Sequence, residues 1–427
     1  MSARFEGRVS QWEMNWIHKL MAPLTRNSAD DVVVVEGLRT VFSKFGGALR
    51  SVPSVILGAH VIRRVLERAQ VPPELVGVVY YGVTIPAEVA LDGPVSGRQA
   101  LLRAGLPPEI QSLTLDRGCC SSLTAVHMAY KAIRDGEFDW AIAAGAENMG
   151  RAAFLSPPDL RFGHLRGSLQ FKDPLFELGA DIGSRPVAVD VGETSLAWGV
   201  TREQQDAWAA ASHQKYFSAK SRGFFTSHVE EVSFPFHKAQ LDHDELPRQD
   251  ASPQALASLC TVYGSATITA GNAPGMDTGG TALLLTRRRC AEERSLTSLA
   301  TVVGIGSVAG PPADIALIPG PAVLSVTKPL GWDATTLDAI EINEAFAAVP
   351  IVSARYLAGR DFQKEQEILK KTNSCGGAVA IGHPTGASGA RLLLQLAHRL
   401  RERGGGCGVA AICGALGQAD AVGVIVT

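Results

Sequence analysis

The hydrophobic positions of this chain switch repeatedly between the period of strands and the period of helices. A β-branched run from Val32 to Val35 predicts a strand, apolar positions at helical spacing from Val55 to Ala69 predict an amphipathic helix, and Val78 to Tyr81 predicts a second strand. Strands that alternate with helices are typical of layered α/β proteins. We therefore expect an α/β fold for most of the chain.

The second half of the chain repeats the order of the first. A short strand leads to Cys119, a helical stripe follows it, and the strand Trp140 to Ala144 comes next. In the second half His383 also precedes a predicted helix, and the strand after that helix, Val409 to Ile412, ends at Cys413. Two similar βαβαβ halves would bring the two cysteines and the histidine to one seam.

Composition and pattern divide the chain into four predicted segments. They are an N-terminal arm 1–30, an N-terminal half 31–150 completed by about 264–298, a loop or cap domain 151–263 and a C-terminal half 299–427. The arm carries an apolar stripe at helical spacing, which predicts docking on its own domain or on another subunit, with a membrane surface as the lesser alternative. The loop domain is rich in Pro and Gly and shows one clear helix, Arg202 to Ala219. Long insertions of this kind often cover a binding groove.

The composition excludes several classes of protein. The chain has 427 residues, of which 46% are hydrophobic and 19% charged, and its formal net charge is -2, so no overall field favours nucleic acid. Its seven cysteines form no Cys-x-x-Cys pair, which argues against a disulfide framework or a zinc site. No apolar run approaches the length of about 18 residues that a membrane span needs. These features predict a cytoplasmic protein without a membrane span.

Four residues stand out as candidates for chemistry. Cys119 precedes a helix whose N-terminal N–H groups and dipole are expected to lower a thiol pKa from about 8.5 toward neutrality. His383 lies among glycines that allow close backbone approach. Cys413 ends an apolar strand, and Asn343 follows another. Each has a structural alternative: a cysteine is more often a small buried hydrophobe, and Asn343 can be an ordinary helix cap.

Several stretches resemble the thiolase family, from about Asp31 to the C-terminus. The matching stretches are Gly37-Leu38-Arg39-Thr40 with Phe45-Gly46-Gly47, the Cys119 segment, Gly145-Ala146-Glu147-Asn148-Met149, Thr269-Ala270-Gly271-Asn272-Ala273, Asn343-Glu344-Ala345-Phe346-Ala347 and Gly376 to Pro384. The resemblance implies the thiolase fold, with layers α-β-α-β-α. It also implies a ping-pong acyltransferase that cleaves a 3-oxoacyl-CoA with CoA, as in beta-oxidation, or runs the reverse Claisen condensation.

The resemblance also implies a role for each candidate residue. Cys119 would accept the acyl group, His383 would activate it, and Cys413 would act as acid and base at the substrate α-carbon. Asn343, through a water, and His383 would form one oxyanion hole, and the backbone N–H groups of Cys119 and Ala415 the second. Coenzyme A and acyl-CoA would be substrates, with no metal or other cofactor. A homodimer or a dimer of dimers is expected, and an accessory subunit stays open.

Several positions depart from the family pattern. Ser122, Ala415 and Leu416 stand where glycines are usual. Asp190 and Val191 replace a His-Met pair near the acyl pocket of short-chain relatives. Pro274 replaces a serine that contacts pantetheine, and Met276 follows in the same loop. These changes predict substrate contacts at positions 190, 191, 274 and 276 and an unusual acyl group, such as a branched, aromatic or carboxylated one.

Two other functions compete with this prediction. A ketoacyl-synthase-like condensing enzyme shares the duplicated fold but pairs its cysteine with two histidines, or with a histidine and an asparagine, rather than with a second cysteine. A non-catalytic thiolase-like subunit would bind acyl-CoA within a heteromeric complex, since a fold alone does not establish activity. Cys413 argues against the first, and the joint presence of Cys119, Asn343, His383 and Cys413 argues against the second.

Overall fold

The structure is a computed structural model that describes residues 28–176 and 185–427. The predicted arm 1–30 lies almost wholly outside the described residues. The strands are β1 Val32–Thr40, β2 Val78–Gly82, β3 Gln111–Leu115, β4 Trp140–Asn148, β5 Val229–Glu230, β6 Val232–Phe234, β7 Ala239–Leu241, β8 Thr278–Arg287, β9 Ala300–Ala309, β10 Ala339–Ile342, β11 Gly406–Gly414 and β12 Gln418–Val426. The helices are α1 Ser54–Ala69, α2 Pro86–Val89, α3 Ser96–Arg103, α4 Ser121–Arg134, α5 Val187–Ala197, α6 Arg202–Ser221, α7 Pro253–Ala257, α8 Arg288–Glu292, α9 Pro319–Thr327, α10 Ala348–Leu357, α11 Phe362–Lys371, α12 Ala378–Ile381 and α13 Thr385–Glu402.

The main sheet repeats one topology on two sides of a narrow join. Its order is β10-β11-β12-β9-β1-β8-β4-β2-β3, and β1 and β9 share only the residue pairs Val33–Thr301 and Val34–Ala300. On one side β2 lies parallel between β3 and β4, and β4 is antiparallel to β8. On the other side β10 is parallel to β11, β11 is antiparallel to β12, and a parallel bridge from β10 to Thr372 takes the place of β3. The expected α/β fold with two similar halves is confirmed.

Alternate residues of the strands pack into different hydrophobic clusters, because successive side chains of a strand point to opposite faces. In β2, Val78 and Tyr80 belong to a central cluster, whereas Val79 and Tyr81 belong to an outer one. The central cluster also contains apolar side chains of α4, α13, β11 and β12. Helices α4 and α13 therefore form the middle of five layers. Burial on both faces explains why the strands are rich in Val, Ile and Ala.

The segment between the halves differs from its sequence prediction. Helix α6 is present, but helix α5 precedes it, so the expectation of one clear helix was wrong. The residues of α5 are buried on most sides, including the polar Asp190, Thr194 and Ser195, and such a helix shows no amphipathic stripe. The four segment boundaries stay a prediction. Among the described residues, no helix is both long and apolar enough to cross a membrane.

Candidate active site

The two predicted catalytic turns lie at the N-termini of the two helices of the middle layer. Cys119 stands two residues before α4, and His383 stands two residues before α13. Gly389 lets the first turns of these helices meet, because a Cβ at that position would collide with the backbone of Leu123. The Ala390 N–H donates to Ser122 Oγ at 3.0 Å. The side chain that replaces a usual glycine at position 122 therefore links the two turns.

The loop after Cys413 packs against the loop that carries Cys119. Strand β11 continues through Cys413 to Gly414, slightly beyond its predicted end. Gly118 has a φ of +61°, and a Cβ there would lie 2.5 Å from the Ala415 nitrogen. The backbone donors predicted for the second oxyanion hole thus come from adjoining loops. Leu416 has a φ of +58°, a conformation that suits glycine and strains a leucine.

An ion pair ties the Cys119 turn to the opposite half of the molecule. Arg117 Nη1 lies 2.7 Å from Asp420 Oδ1 in β12, and Arg117 Nε and Nη2 donate to Gln418 Oε1 at 3.2 and 3.1 Å. Asp420 is fully buried and also accepts hydrogen bonds from Thr124 Oγ1 and Ser307 Oγ, at 2.5 and 2.6 Å. These contacts fix the Cys119 turn relative to the strand that follows the Cys413 loop.

A directed chain of hydrogen bonds passes through His383. Arg391 Nη2 donates to Asn343 Oδ1 at 3.3 Å, and Asn343 Nδ2 lies 3.3 Å from His383 Nε2. On the other side of the ring, His383 Nδ1 lies 2.7 Å from Ser388 Oγ, which donates to the Pro384 carbonyl at 2.9 Å. Because the amide NH₂ can only donate, Nε2 is the acceptor and Nδ1 carries the proton. This tautomer presents the Nε2 lone pair to the site.

Asn343 is not a helix cap. Helix α10 begins at Ala348, and Ala347 occupies its cap position. The neighbouring Glu344 is buried and accepts hydrogen bonds from Trp208 Nε1, Ser212 Oγ, Asn373 Nδ2 and the Val379 N–H, at 2.8 to 3.0 Å. These bonds hold the chain beside Asn343 in place, so its amide is available to His383.

Two buried carboxyl groups of the N-terminal half hold the His383 turn. Asp277 Oδ2 accepts the His383 N–H at 2.5 Å, and Glu147 Oε2 accepts the Gly386 N–H at 3.0 Å and the Thr385 hydroxyl at 3.1 Å. Burial raises the pKa of Glu147 to about 8, with a further rise from Glu88. Burial likewise raises the pKa of Asp277 to about 8. Both groups therefore tend to be protonated at neutral pH.

The nucleophile and the base are both neutral in the free site. Protein atoms surround the partly exposed Cys119, so burial raises the pKa of its thiol, and the nearby Cys413 raises it further. The expectation that the helix N-terminus lowers this pKa was wrong, because loss of hydration outweighs the backbone hydrogen bond that favours the thiolate. Burial also raises the pKa of Cys413 to about 12 and lowers the pKa of His383 to about 3.

The four residues predicted to contact substrate lie in two places. Asp190 and Val191 are on α5, where Asp190 Oδ1 pairs with Arg185 Nε at 2.9 Å and Val191 packs in the outer cluster of the C-terminal half. Pro274 and Met276 lie in the loop before β8, and Met276 is partly exposed beside Asp277. The structure joins Asn343 with His383 and brings the two thiols near each other. Of the four, Val191 shares the outer hydrophobic cluster of the C-terminal half with Cys413.

Sequence reasoning missed several residues of the site. Ser388 lies on α13, whereas His383 precedes that helix, so no helical spacing relates the two residues. Glu147 belongs to one of the stretches that carry the family resemblance, but its sequence context predicts no role for it. The contacts of Asp277, Arg391 and Asp420 join residues far apart in the chain, and no local pattern marks them.

Comparison with known proteins identifies the family to which this fold belongs. Residues 32–289 match the family model "Thiolase, N-terminal domain", and residues 296–426 match "Thiolase, C-terminal domain". The two matches together cover most of the 427 residues. The chain belongs to the thiolase family of acyltransferases.

Individual relatives align with nearly the whole chain. A probable acetyl-CoA acetyltransferase of Mycolicibacterium smegmatis is 37% identical over 396 residues, which cover 91% of this chain and 99% of the relative. An acetyl-CoA acetyltransferase of Thiocystis violacea is 35% identical over 402 residues, or 93% of this chain and 99% of the relative. Human mitochondrial 3-ketoacyl-CoA thiolase in complex with CoA superposes with a TM-score of 0.86 at 30% identity, over 93% of this chain and 98% of that one.

Proposed function

We propose that this chain is a thiolase that moves an acyl group through Cys119, either cleaving a 3-oxoacyl-CoA with CoA or running the reverse condensation. The observation that carries the proposal is the 3.3 Å contact between Asn343 Nδ2 and His383 Nε2, beside the neighbouring thiols of Cys119 and Cys413. An amide donor next to an imidazole supports an oxyanion hole for a thioester enolate. A second thiol nearby supports proton transfer at the α-carbon.

In the cleavage direction, the Cys119 sulfur attacks the ketone carbon and its proton passes to His383 Nε2. The N–H groups of Cys119 and Ala415 hold the resulting oxyanion. The bond to the α-carbon then breaks, Cys413 gives its proton to that carbon, and acetyl-CoA or a related thioester leaves. The thiol of CoA finally takes the acyl group from Cys119. Its proton restores the Cys413 thiol, and His383 returns the first proton to the Cys119 sulfur. No metal enters these steps.

The electrostatics of the free site support a concerted first step. Burial raises the pKa of Cys119 and lowers that of His383 to about 3, so a thiolate–imidazolium pair is not populated before substrate binds. We infer that the proton moves to His383 as the carbon–sulfur bond forms. The Nδ1–H bond to Ser388 keeps the Nε2 lone pair ready to receive it.

We further propose that the acyl group is not acetoacetyl. The argument rests on α5, where the ion pair between Asp190 and Arg185 occupies the region that the family resemblance associates with the acyl pocket. A charged pair there changes both shape and polarity of that region, and Arg185 remains partly exposed. Arg185 Nη2 also pairs with Glu193, so its charge is already balanced, and the proposed acyl chain is branched, aromatic or carboxylated. Contacts of Pro274 and Met276 with CoA belong to the same proposal.

Other parts of the proposal come from the sequence alone. CoA and acyl-CoA as substrates, a cytoplasmic location, a homodimer or dimer of dimers and the four segment boundaries stay predictions. The ketoacyl-synthase-like alternative is disfavoured by Cys413, which lies where that enzyme class would need a histidine or an asparagine. A non-catalytic subunit is disfavoured by the hydrogen-bond chain that keeps His383 in a single tautomer, since mere binding does not require it.

The test is CoA-dependent cleavage of a panel of 3-oxoacyl-CoA thioesters, from acetoacetyl to long, branched, aryl and carboxylated chains. We expect cleavage of one class by wild type and by the control Cys260→Ala, which removes an exposed cysteine. The Cys119→Ala variant should lose at least about 10⁴-fold in cleavage activity, because it lacks the covalent nucleophile. Folded wild-type protein that cleaves no member of the panel would contradict the proposal, and preferred cleavage of acetoacetyl-CoA would contradict its acyl-group part.

A further inference from the structure

A buried carboxyl group lies directly behind His383. Asp277 precedes β8 and is fully buried. Its Oδ2 accepts the His383 N–H at 2.5 Å, and a Cβ on Gly382 would lie 2.6 Å from the same oxygen. Asp277 belongs to the N-terminal half, whereas His383 belongs to the C-terminal half. The carboxyl group therefore sets the position of the catalytic peptide across the seam.

The second oxygen of this carboxyl group is isolated. Asp277 Oδ1 is buried and has no hydrogen-bond partner among the residues that the structure describes. An ionised carboxylate with one unsatisfied oxygen is costly to bury, whereas a protonated one carries no charge.

The charged groups around Asp277 do not favour its ionisation. The acidic neighbours are Asp244 and Glu245, and both raise its pKa. Arg39 is a nearby cation, but it already binds both oxygens of Asp244, at 2.7 and 2.8 Å. The remaining titratable neighbour, His383, is neutral because burial lowers its pKa to about 3. Burial and the two acidic neighbours together give Asp277 a pKa of about 8.

We propose that Asp277 is a positioning residue for His383 that works in its protonated, uncharged form. The inference rests on the proposed function, in which His383 and Asn343 bind the oxygen of the thioester enolate. The carbonyl oxygen of a neutral carboxyl group still accepts the His383 N–H. A carboxylate at the same place would oppose the negative charge that develops on the enolate oxygen. Ionisation of Asp277 at alkaline pH therefore lowers the catalytic activity.

The kinetic test compares Asp277→Asn with wild type from pH 6 to pH 10, using a substrate that the panel identifies. Asparagine keeps the carbonyl acceptor and cannot ionise. We expect kcat of wild type to fall with an apparent pKa near 8 and the fall in Asp277→Asn to move upward by at least about one pH unit, a tenfold change in proton concentration. Asp277→Ala removes the acceptor and should lower kcat about tenfold at every pH.

Matched controls separate this role from general effects of charge. Glu109→Gln removes an exposed carboxylate in the same half and should follow the wild-type profile. Superimposable profiles for wild type and Asp277→Asn would overturn the proposal. So would an Asp277→Ala variant as active as Asp277→Asn, because the contact with the His383 N–H would then have no role.

A second measurement is independent of activity and therefore distinguishes failure of the inference from failure of the proposed function. A carboxyl group with a raised pKa in the folded state adds stability below its unfolded pKa of about 3.9, and that stability is lost as pH rises to the folded value. The Tm of wild type should therefore fall relative to that of Asp277→Asn as pH rises from 5 to about 8, and the difference should then level off. A Tm difference that stays constant over this range would refute the protonated state, even if no substrate is found.

Discussion

The turn that carries Cys119 and the turn that carries His383 occupy matching places in two halves of the same topology, yet different chemistry holds them. An ion pair holds the Cys119 turn: Arg117 bonds Asp420 at 2.7 Å and also contacts Gln418. Arg117 keeps about a quarter of its side chain exposed, with a relative accessibility of 26%. Water near one partner lowers the cost of keeping this pair charged.

The His383 turn is held by acids without a cation. Asp277 and Glu147 accept backbone N–H groups of His383 and Gly386, and both acids are fully buried with their pKa raised to about 8. They act on this turn as neutral acceptors rather than as charges. Burial lowers the pKa of His383 to about 3, so the imidazole stays uncharged, which suits its proposed role of accepting a proton.

The difference shows how one topology can serve two chemical tasks. In both turns the holding groups come from the opposite half, so neither turn is complete without the other half of the fold. A charged contact fixes the shape of the thiol turn two residues away from the sulfur. Neutral contacts fix the imidazole turn at the catalytic residue itself, where a net charge would alter the pKa of His383.

The largest expected effect distinguishes the proposed roles of Cys119 and His383 from that of Cys413. In the proposed mechanism, acyl exchange between CoA molecules requires only Cys119 and His383, whereas carbon–carbon cleavage also requires proton transfer by Cys413. In Cys413→Ala we expect cleavage to fall by about 10³-fold, the typical contribution of a general acid, while exchange of acyl groups with labelled CoA persists. Cys407→Ala, on the same strand and face, is the matched control. Equal loss of both reactions would contradict the division of roles.

The next effect tests the ion pair of the thiol turn. Asp420→Ala leaves Arg117, Thr124 and Ser307 without their shared acceptor. Because Arg117 is partly exposed, we discount the cost of breaking a buried pair and expect the free energy of unfolding to fall by about 2 kcal/mol. Chemical denaturation measures this change.

The double variant Arg117→Met with Asp420→Leu provides the control for the ion pair. Removing both charges leaves no unpaired buried charge, so the double variant should lose less stability than the sum of Arg117→Met and Asp420→Leu. Additive losses would mean that the two side chains stabilise the turn separately. In that case the contrast between a charged and a neutral turn would not hold.

The sequence predicts the fold and the reactive side chains much better than it predicts their support. Cys119 and His383 each precede a helix and Cys413 lies near the end of a strand, all beside glycine, and local periodicity is enough to predict these places. The contact of His383 with Asp277 joins residues 106 positions apart, and that of Arg117 with Asp420 spans 303 positions. No local pattern encodes such partners. The prediction of a lowered pKa for Cys119 was wrong for the same reason, because the burial of its thiol depends on how the two halves assemble.

The smallest effect concerns the tautomer of His383. Ser388→Ala removes the acceptor of the Nδ1–H at 2.7 Å, so only the contact with Asn343 still holds the tautomer. Loss of one neutral hydrogen bond corresponds to about a tenfold fall in kcat, with little change in KM because Ser388 is fully buried. Ser325→Ala is a matched control, since this serine also bonds back to its own helix but lies far from the site. A raised KM with kcat intact would mean that Ser388 shapes binding, and the His383 turn would then depend on its buried acids alone.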